Sequence, residues 1–169
     1  MKTLYILRHA KAERHSDSGK DFDRPLAKRG WRDAEAVGRE MRSRGLEPDA
    51  VVSSPARRAA ETVEALARGY GELQPAFDPA IYDAPTSRLL ETVQAVDDTT
   101  ERLLLVGHNP GFEDLAAQLD DGEGDYSDRM ADGLPTSGLV VLELDVERWN
   151  EVAERAGRIT AVIVPKELR

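Results

Sequence analysis

Short apolar runs alternate with segments of helical periodicity along this 169-residue chain, and that alternation constrains its fold more than any other feature. Each run is bounded by polar or by glycine- and proline-containing segments, which is typical of buried strands. Strands are predicted at 3–7, 50–53, 102–106, 138–144 and 158–164, with a further short strand near 74–77. Strands that alternate with helices favour an α/β fold, and we predict a three-layer α/β/α sandwich with a mostly parallel central sheet.

Four helices are predicted from apolar residues that recur at three- and four-residue steps. The first is expected to end at Gly45, and the second to begin with Ser54 as its N-cap and Pro55 at its first position. A short helix capped by Asp145 is expected between the last two strands. The apolar periods are Trp31, Ala34, Val37 and Met41; Ala59, Val63 and Leu66; Leu89, Leu90, Val93 and Val96; Phe112, Leu115, Ala116 and Leu119; and Val146, Trp149 and Val152.

Charge and cysteine content exclude several classes of function. The chain has 32 Asp and Glu against 23 Lys and Arg, a formal net charge of −9, whereas binders of nucleic acid or anionic membranes need a basic footprint. It has no cysteine, which excludes disulfides, thiolate metal sites and cysteine nucleophiles. No apolar run approaches the roughly 20 residues that span a bilayer, and the N-terminus lacks a signal-peptide pattern. We therefore expect a single domain over 1–169, located in the cytoplasm.

Residues 120–133 differ in character from the rest of the chain. They contain six carboxylates and three glycines, with hardly any apolar residue. This composition predicts a long surface excursion.

Conspicuous residues follow three predicted strands at their carboxyl ends, where the ligand sites of such sheets lie. Arg8 and His9 follow the first strand, Arg58 lies in the helical turn after the second, and His108 follows the third. The helix dipole disfavours a cation in a first turn, so an arginine there indicates a bound anion. Singly, each of these residues is more often a surface ion-pair partner or a capping group. Together, two guanidiniums and two imidazoles predict a site for a dianionic phosphoryl group.

Other kinds of phosphate site are not indicated by the sequence. It has no Gly-x-x-x-x-Gly-Lys-Ser/Thr loop and no strand followed by Gly-x-Gly-x-x-Gly. The paired carboxylates Asp97-Asp98 and Asp120-Asp121 have no neighbouring histidines, as a metallophosphatase site would need. We expect neither a metal nor another cofactor.

Several motifs resemble those of the histidine phosphatase superfamily, which has a phosphoglycerate mutase-like fold, and in particular those of its small SixA-type branch. They occur in the family's order, from residue 4 to about residue 144. The motifs are Leu7-Arg8-His9-Ala10-Lys11-Ala12-Glu13, Asp23-Arg24-Pro25-Leu26 with Gly30, Ser54-Pro55-Ala56-Arg57-Arg58-Ala59 with Thr62, Gly107-His108-Asn109-Pro110-Gly111 and Pro135-Thr136-Ser137-Gly138.

The resemblance implies roles for four of these residues. His9 is implied as the nucleophile that becomes phosphorylated, and Arg8, Arg58 and His108 as the groups that bind the phosphoryl oxygens. The larger members carry a glutamate general acid, which the corresponding stretch 78–85 lacks. Asp83 is a candidate acid there, with a simple turn residue as the alternative, so the acid is left unassigned. Because a leaving imidazole needs less protonation than an alkoxide, this absence favours a phosphohistidine substrate.

We therefore expect a metal-independent, monomeric phosphatase that hydrolyses phosphohistidine on a partner protein such as a phosphotransfer domain. A small-molecule phosphomonoesterase with the same His9 chemistry is the first alternative. A phospho-ligand sensor without turnover is the second, although a sensor need not keep the nucleophile. Only two helices and short loops are expected between Ser54 and His108, which predicts an open site.

Overall fold

The computed structural model describes all residues from Met1 to Arg169, and a six-stranded sheet lies at its centre. The strands are β1 (Lys2–Arg8), β2 (Ala50–Ser53), β3 (Pro75–Phe77), β4 (Arg102–Gly107), β5 (Leu139–Leu144) and β6 (Gly157–Ile163). Their order across the sheet is β3-β2-β4-β1-β5-β6. The first four run parallel, whereas β5 is antiparallel to β1 and β6 to β5. The predicted strands and the mostly parallel sheet are confirmed.

Helices cover both faces of this sheet. They are α1 (Lys28–Arg44), α2 (Arg57–Tyr70), α3 (Thr86–Gln94) and α4 (Gly111–Leu119). Because side chains alternate along a strand, Tyr5 and Leu7 pack with α1 and α2 on one face. Leu4 and Ile6 pack with α3 and α4 on the other. The three-layer sandwich is therefore confirmed.

Two predicted helix starts are wrong. Helix α2 begins at Arg57 and has no side-chain cap, because the Ser54 N–H still donates to the carbonyl of Val106 and so remains bound to β4. Asp145 caps no helix, because its N–H donates to the Ala156 carbonyl. Between β5 and β6 the chain forms only one 3₁₀ turn, Trp149–Glu151.

The acidic segment 120–133 lies at the surface, as predicted. None of its residues is buried, and its one element is a 3₁₀ turn, Ser127–Asp132. Its start is tied to β6 by a hydrogen bond from the Asp121 N–H to the Gly157 carbonyl (2.8 Å). None of the helices has the length and apolar composition required to cross a bilayer.

Candidate active site

Three neighbouring parallel strands end at one edge of the sheet and bring the predicted residues together. His9 follows β1, Ser54 follows β2 and His108 follows β4. The backbone of His9 is still held by the sheet, since its N–H donates to the Gly107 carbonyl (2.9 Å). The imidazole rings of His9 and His108 lie 5.3 Å apart, centroid to centroid. With Arg8 and Arg58 they line one open cavity of about 430 Å³.

His9 is a buried, neutral imidazole with a defined tautomer. Its Nδ1 lies 2.7 Å from the Ala10 carbonyl oxygen, which can only accept, so Nδ1 carries the hydrogen and Nε2 keeps its lone pair. Burial is the largest cause that lowers the pKa of His9 to about 4; the Ala10 hydrogen bond opposes it, and the charges of Arg58 and Arg8 add to it. The ring is therefore uncharged at neutral pH.

His108 is buried beside it and is also neutral. Its Nε2 lies 2.8 Å from the Ser54 hydroxyl, while its Nδ1 is buried without a partner in the protein. Burial, followed by the charge of Arg58, lowers the pKa of His108 to about 3. Ser54 thus orients a catalytic candidate instead of capping a helix.

Arg58 is turned into the protein, whereas its neighbour Arg57 is turned away from it. The side chain of Arg58 is 4% exposed and donates to the backbone carbonyl of Asp21 from Nη1 (2.8 Å) and to the Asp21 carboxylate from Nη2 (3.0 Å). Arg57 is exposed and pairs with Glu61. Successive helix residues point about 100° apart, so only one of the two arginines can face the cavity.

Arg8 is held at the end of β1 by the segment 134–138. Its Nη1 donates to the Leu134 carbonyl (2.9 Å), and its backbone N–H donates to the Gly138 carbonyl (3.1 Å). The Ser137 N–H donates to the carbonyls of both Arg8 (3.1 Å) and His9 (3.2 Å). Burial lowers the pKa of Arg8, against the opposing charge of Glu113. This segment therefore fixes the backbone that carries both predicted residues.

Four buried side-chain atoms have no hydrogen-bond partner in the protein; three belong to residues that line this cavity, and the fourth belongs to Ser137, in the segment that holds Arg8 and His9. They are Arg8 Nε, Arg58 Nε, His108 Nδ1 and Ser137 Oγ. Such atoms are rare in folded proteins, so their clustering indicates a site for a polar ligand.

The charge of the cavity suits an anion. Its lining includes the cationic side chains of Arg8, Lys11, Arg24 and Arg58 against the carboxylates of Asp21 and Asp83. A local excess of positive charge in a chain of net charge −9 is the complement of a phosphoryl dianion. Neither here nor elsewhere in the molecule is a cluster of three or more His, Asp or Glu side chains placed to ligate a metal.

The sequence interpretation missed two residues here: Asp21, which lines the cavity, and Tyr82, which contacts Asp21 and His108. The Tyr82 hydroxyl donates to the Asp21 carboxylate (2.6 Å), and the Tyr82 ring stands edge-on to His108 at 5.5 Å. The Tyr82 hydrogen bond is the largest cause that lowers the pKa of Asp21 to about 2, with further contributions from Arg58 and Arg24. Asp21 lies two residues before a quoted motif, which is the one signal that could have drawn attention to it.

Asp83 is the candidate acid named above, and His15 is the third histidine of the chain. Asp83 is exposed, has the positive φ of a turn residue (51°) and also lines the cavity, so its place as a candidate acid stays a prediction. His15 is exposed and does not line the cavity.

Comparisons with known proteins agree with the resemblance seen in the motifs. The family model described as "Histidine phosphatase superfamily (branch 1)" matches residues 4–84. An uncharacterized protein of Mycobacterium tuberculosis is 32% identical over 163 residues, which cover 95% of this chain and 100% of that protein.

Solved structures extend the match to almost the whole chain. A protein of Agrobacterium tumefaciens assigned as the phosphohistidine phosphatase SixA is 30% identical, with a TM-score of 0.79 over 97% of this chain and 98% of its own. A similarly assigned protein of Nakamurella multipartitia is 26% identical, with a TM-score of 0.82 over 97% of this chain and 96% of its own. The chain belongs to the histidine phosphatase superfamily, in its SixA-like branch.

Proposed function

We propose that this chain is a metal-independent phosphatase that hydrolyses phosphohistidine carried on a partner protein, and that residues 1–169 form one catalytic domain. The observation that carries the proposal is the state of His9. It is neutral, its Nδ1–H is engaged by Ala10, so its Nε2 keeps the lone pair, and the ring lines a cavity together with the buried Arg58 and the half-buried Arg8. An uncharged imidazole nitrogen beside fixed cations is suited to attack on phosphorus.

In the first step, His9 Nε2 attacks the phosphorus atom in line and forms a new N–P bond. The P–N bond of the substrate breaks, its electron pair stays on the substrate imidazole nitrogen, and that nitrogen takes a proton from water. Arg8 and Arg58, each with an Nε–H that no protein group accepts, offset the charge on the equatorial oxygens.

His108 is proposed to donate a hydrogen bond to the same oxygens. The Ser54 hydroxyl accepts from the Ala56 N–H (3.2 Å) and can direct its own hydrogen to His108 Nε2. A neutral ring that accepts at Nε2 carries its hydrogen on Nδ1, the atom that lacks a protein partner.

In the second step, a water oxygen attacks the phosphorus atom of phosphorylated His9. The N–P bond breaks, its electron pair returns to Nε2, and inorganic phosphate leaves with the water's oxygen while the released proton passes to solvent. Each bond that breaks has an imidazole nitrogen as its leaving atom, so the reaction does not depend on a strong general acid.

The surroundings of the site favour a macromolecular substrate. Between Ser54 and His108 the chain holds only α2, β3, one 3₁₀ turn, α3 and β4, so no long insertion covers the cavity. A second, larger cavity of about 820 Å³ shares Arg8, Asn109 and Thr136 with the first, and the end of the acidic segment lines it. A protein that presents its phosphohistidine to His9 can extend over this neighbouring surface.

A turnover panel without added metal tests the substrate class. It compares phosphohistidine on a protein, free phosphohistidine, nitrophenyl phosphate, a sugar phosphate and phosphoglycerate, and it is repeated with a chelator. We expect the highest kcat/KM for the phosphorylated protein and no effect of the chelator. A sugar phosphate or phosphoglycerate that is better by about tenfold, a difference of about 1.4 kcal/mol, would replace the proposal with a small-molecule phosphomonoesterase. Phosphate binding without turnover of any substrate would indicate a sensor.

A second experiment tests the nucleophile. His9→Ala is expected to abolish turnover, and wild-type protein quenched during turnover is expected to carry an acid-labile, base-stable phosphate on His9. His15→Ala, at an exposed position outside the cavity, is the control. Residual activity of His9→Ala above about a tenth of wild type contradicts the assignment, because loss of a covalent nucleophile costs far more than that.

A further inference from the structure

Two side chains that the proposed reaction does not use hold Arg58: Asp21 does so directly, and Tyr82 does so through Asp21. Asp21 accepts hydrogen bonds from Arg58 twice, at its backbone carbonyl and at its carboxylate. The carboxylate also accepts from Tyr82 and from Arg24 Nε (3.0 Å). Asp21 and Tyr82 are 61 residues apart in sequence, so two separate loops meet over the arginine.

These contacts use only one edge of the Arg58 guanidinium. The group has five N–H donors: one on Nη1 and one on Nη2 are taken by Asp21, and the Nε–H has no protein partner. The remaining donors can still form the paired hydrogen bonds with which arginine binds phosphoryl oxygens. Asp21 therefore fixes the rotation of the guanidinium without consuming its ligand-binding edge.

We propose that Asp21, held by Tyr82, is a positioning residue that keeps the Arg58 guanidinium oriented for the phosphoryl group. This inference rests on the proposed function, because it takes Arg58 to bind the phosphoryl oxygens. Arginine loses considerable side-chain entropy when it is ordered, and a guanidinium that is already held binds its ligand without that loss at the moment of binding.

A carboxylate so close to an anion site would have the opposite effect if it competed with the phosphoryl group for Arg58. The contacts argue against it, because the negative charge of Asp21 is shared by two guanidiniums and one hydroxyl. The Tyr82 ring that donates to this carboxylate packs edge-on against Phe22, with the ring centroids 5.2 Å apart. With its pKa lowered to about 2, Asp21 keeps its charge throughout the working range of pH.

Matched carboxylate variants test the proposal. Asp21→Asn keeps the size of the side chain and the backbone carbonyl but removes the charge that holds Nη2. Asp23→Asn is the control, since Asp23 lies in the same 3₁₀ turn and accepts from the exposed Ser18 hydroxyl rather than from Arg58. Tyr82→Phe removes only the hydroxyl that holds the carboxylate. Thermal unfolding verifies that each variant is folded.

The readouts are the Kd for inorganic phosphate and the separate values of kcat and KM with phosphohistidine. We expect Asp21→Asn to raise both Kd and KM by about tenfold, the equivalent of one charge-assisted hydrogen bond, with kcat changed less. Tyr82→Phe is expected to act in the same direction and more weakly, and Asp23→Asn to leave both constants within about twofold, as for a surface group away from the site. Tighter phosphate binding by Asp21→Asn would overturn the proposal in favour of competition.

A double-mutant cycle decides whether Asp21 acts through Arg58. In an Arg58→Ala background, Asp21→Asn should have no further effect on kcat/KM; the same tenfold loss there would overturn the proposal. Failure of the proposed function has a different signature. Wild-type protein would then turn over no phosphohistidine, although phosphate affinity would still fall in Asp21→Asn. If wild-type protein hydrolyses phosphohistidine but Asp21→Asn has the same Kd and KM as Asp23→Asn, this inference alone is refuted.

Discussion

Acidification is expected to weaken this fold through its two buried histidines, His9 and His108, whose rings lie 5.3 Å apart. Burial lowers the pKa of His9 to about 4 and that of His108 to about 3, from 6.5. In the unfolded chain both rings protonate near their ordinary pKa. Between about pH 6.5 and 4 the unfolded state therefore binds protons that the folded state does not, and stability falls as the pH falls.

The size of the effect follows from the pKa values. One pKa unit corresponds to about 1.4 kcal/mol, so the fall from 6.5 to about 4 corresponds to about 3 kcal/mol of folding free energy that depends on neutral His9. This contribution is fully present above about pH 6.5 and is lost once the pH passes below about 4. Near pH 5, one such histidine adds a slope of about 1.4 kcal/mol per pH unit to the free energy of unfolding.

Urea unfolding at a series of pH values measures this slope. Near pH 5, His9→Ala is expected to have a slope shallower than that of wild type by about 1.4 kcal/mol per pH unit, while His15→Ala, at an exposed position, keeps the wild-type slope. The activity has a matching limit: kcat/KM, corrected for spontaneous hydrolysis of the acid-labile substrate, should fall only as the pH approaches about 4. An unchanged slope in His9→Ala would refute the neutral, buried state on which the mechanism depends.

Four further substitutions have defined outcomes. Arg58→Ala should lower kcat/KM by about two orders of magnitude, or about 3 kcal/mol of transition-state stabilisation, whereas Arg57→Ala should change it little; the reverse order would place the wrong arginine in the site. Ser54→Ala should leave His108 without its hydroxyl partner. Steady-state kinetics should then show a kcat about tenfold lower, with KM changed less. Gly38→Ala should lower the urea midpoint by the equivalent of about 2 kcal/mol or more, because a Cβ there would lie 2.2 Å from the Leu66 carbonyl oxygen in the contact between α1 and α2.

The elements of this fold and the central residues of its candidate site could be predicted from local sequence. Apolar runs and helical periods locate every strand to within a residue, because burial demands a periodicity that the sequence must carry. The predicted meeting of His9, Arg58 and His108 at one edge relies on a general property of parallel strands, whose carboxyl ends lie together. The family followed from motifs whose order and spacing are more specific than any single residue in them.

Only the tertiary structure decided which groups surround those residues. Ser54 has a typical capping sequence with Pro55, yet its backbone is retained by the neighbouring strand, and its hydroxyl is used by His108 instead. Asp21 and Tyr82 lie in loops without periodicity, and their contact with Arg58 depends on how two distant segments fold over the helix start. Local sequence determines which backbone each segment prefers, whereas hydrogen bonds between loops far apart in the chain depend on the packing of the whole sheet and its helices.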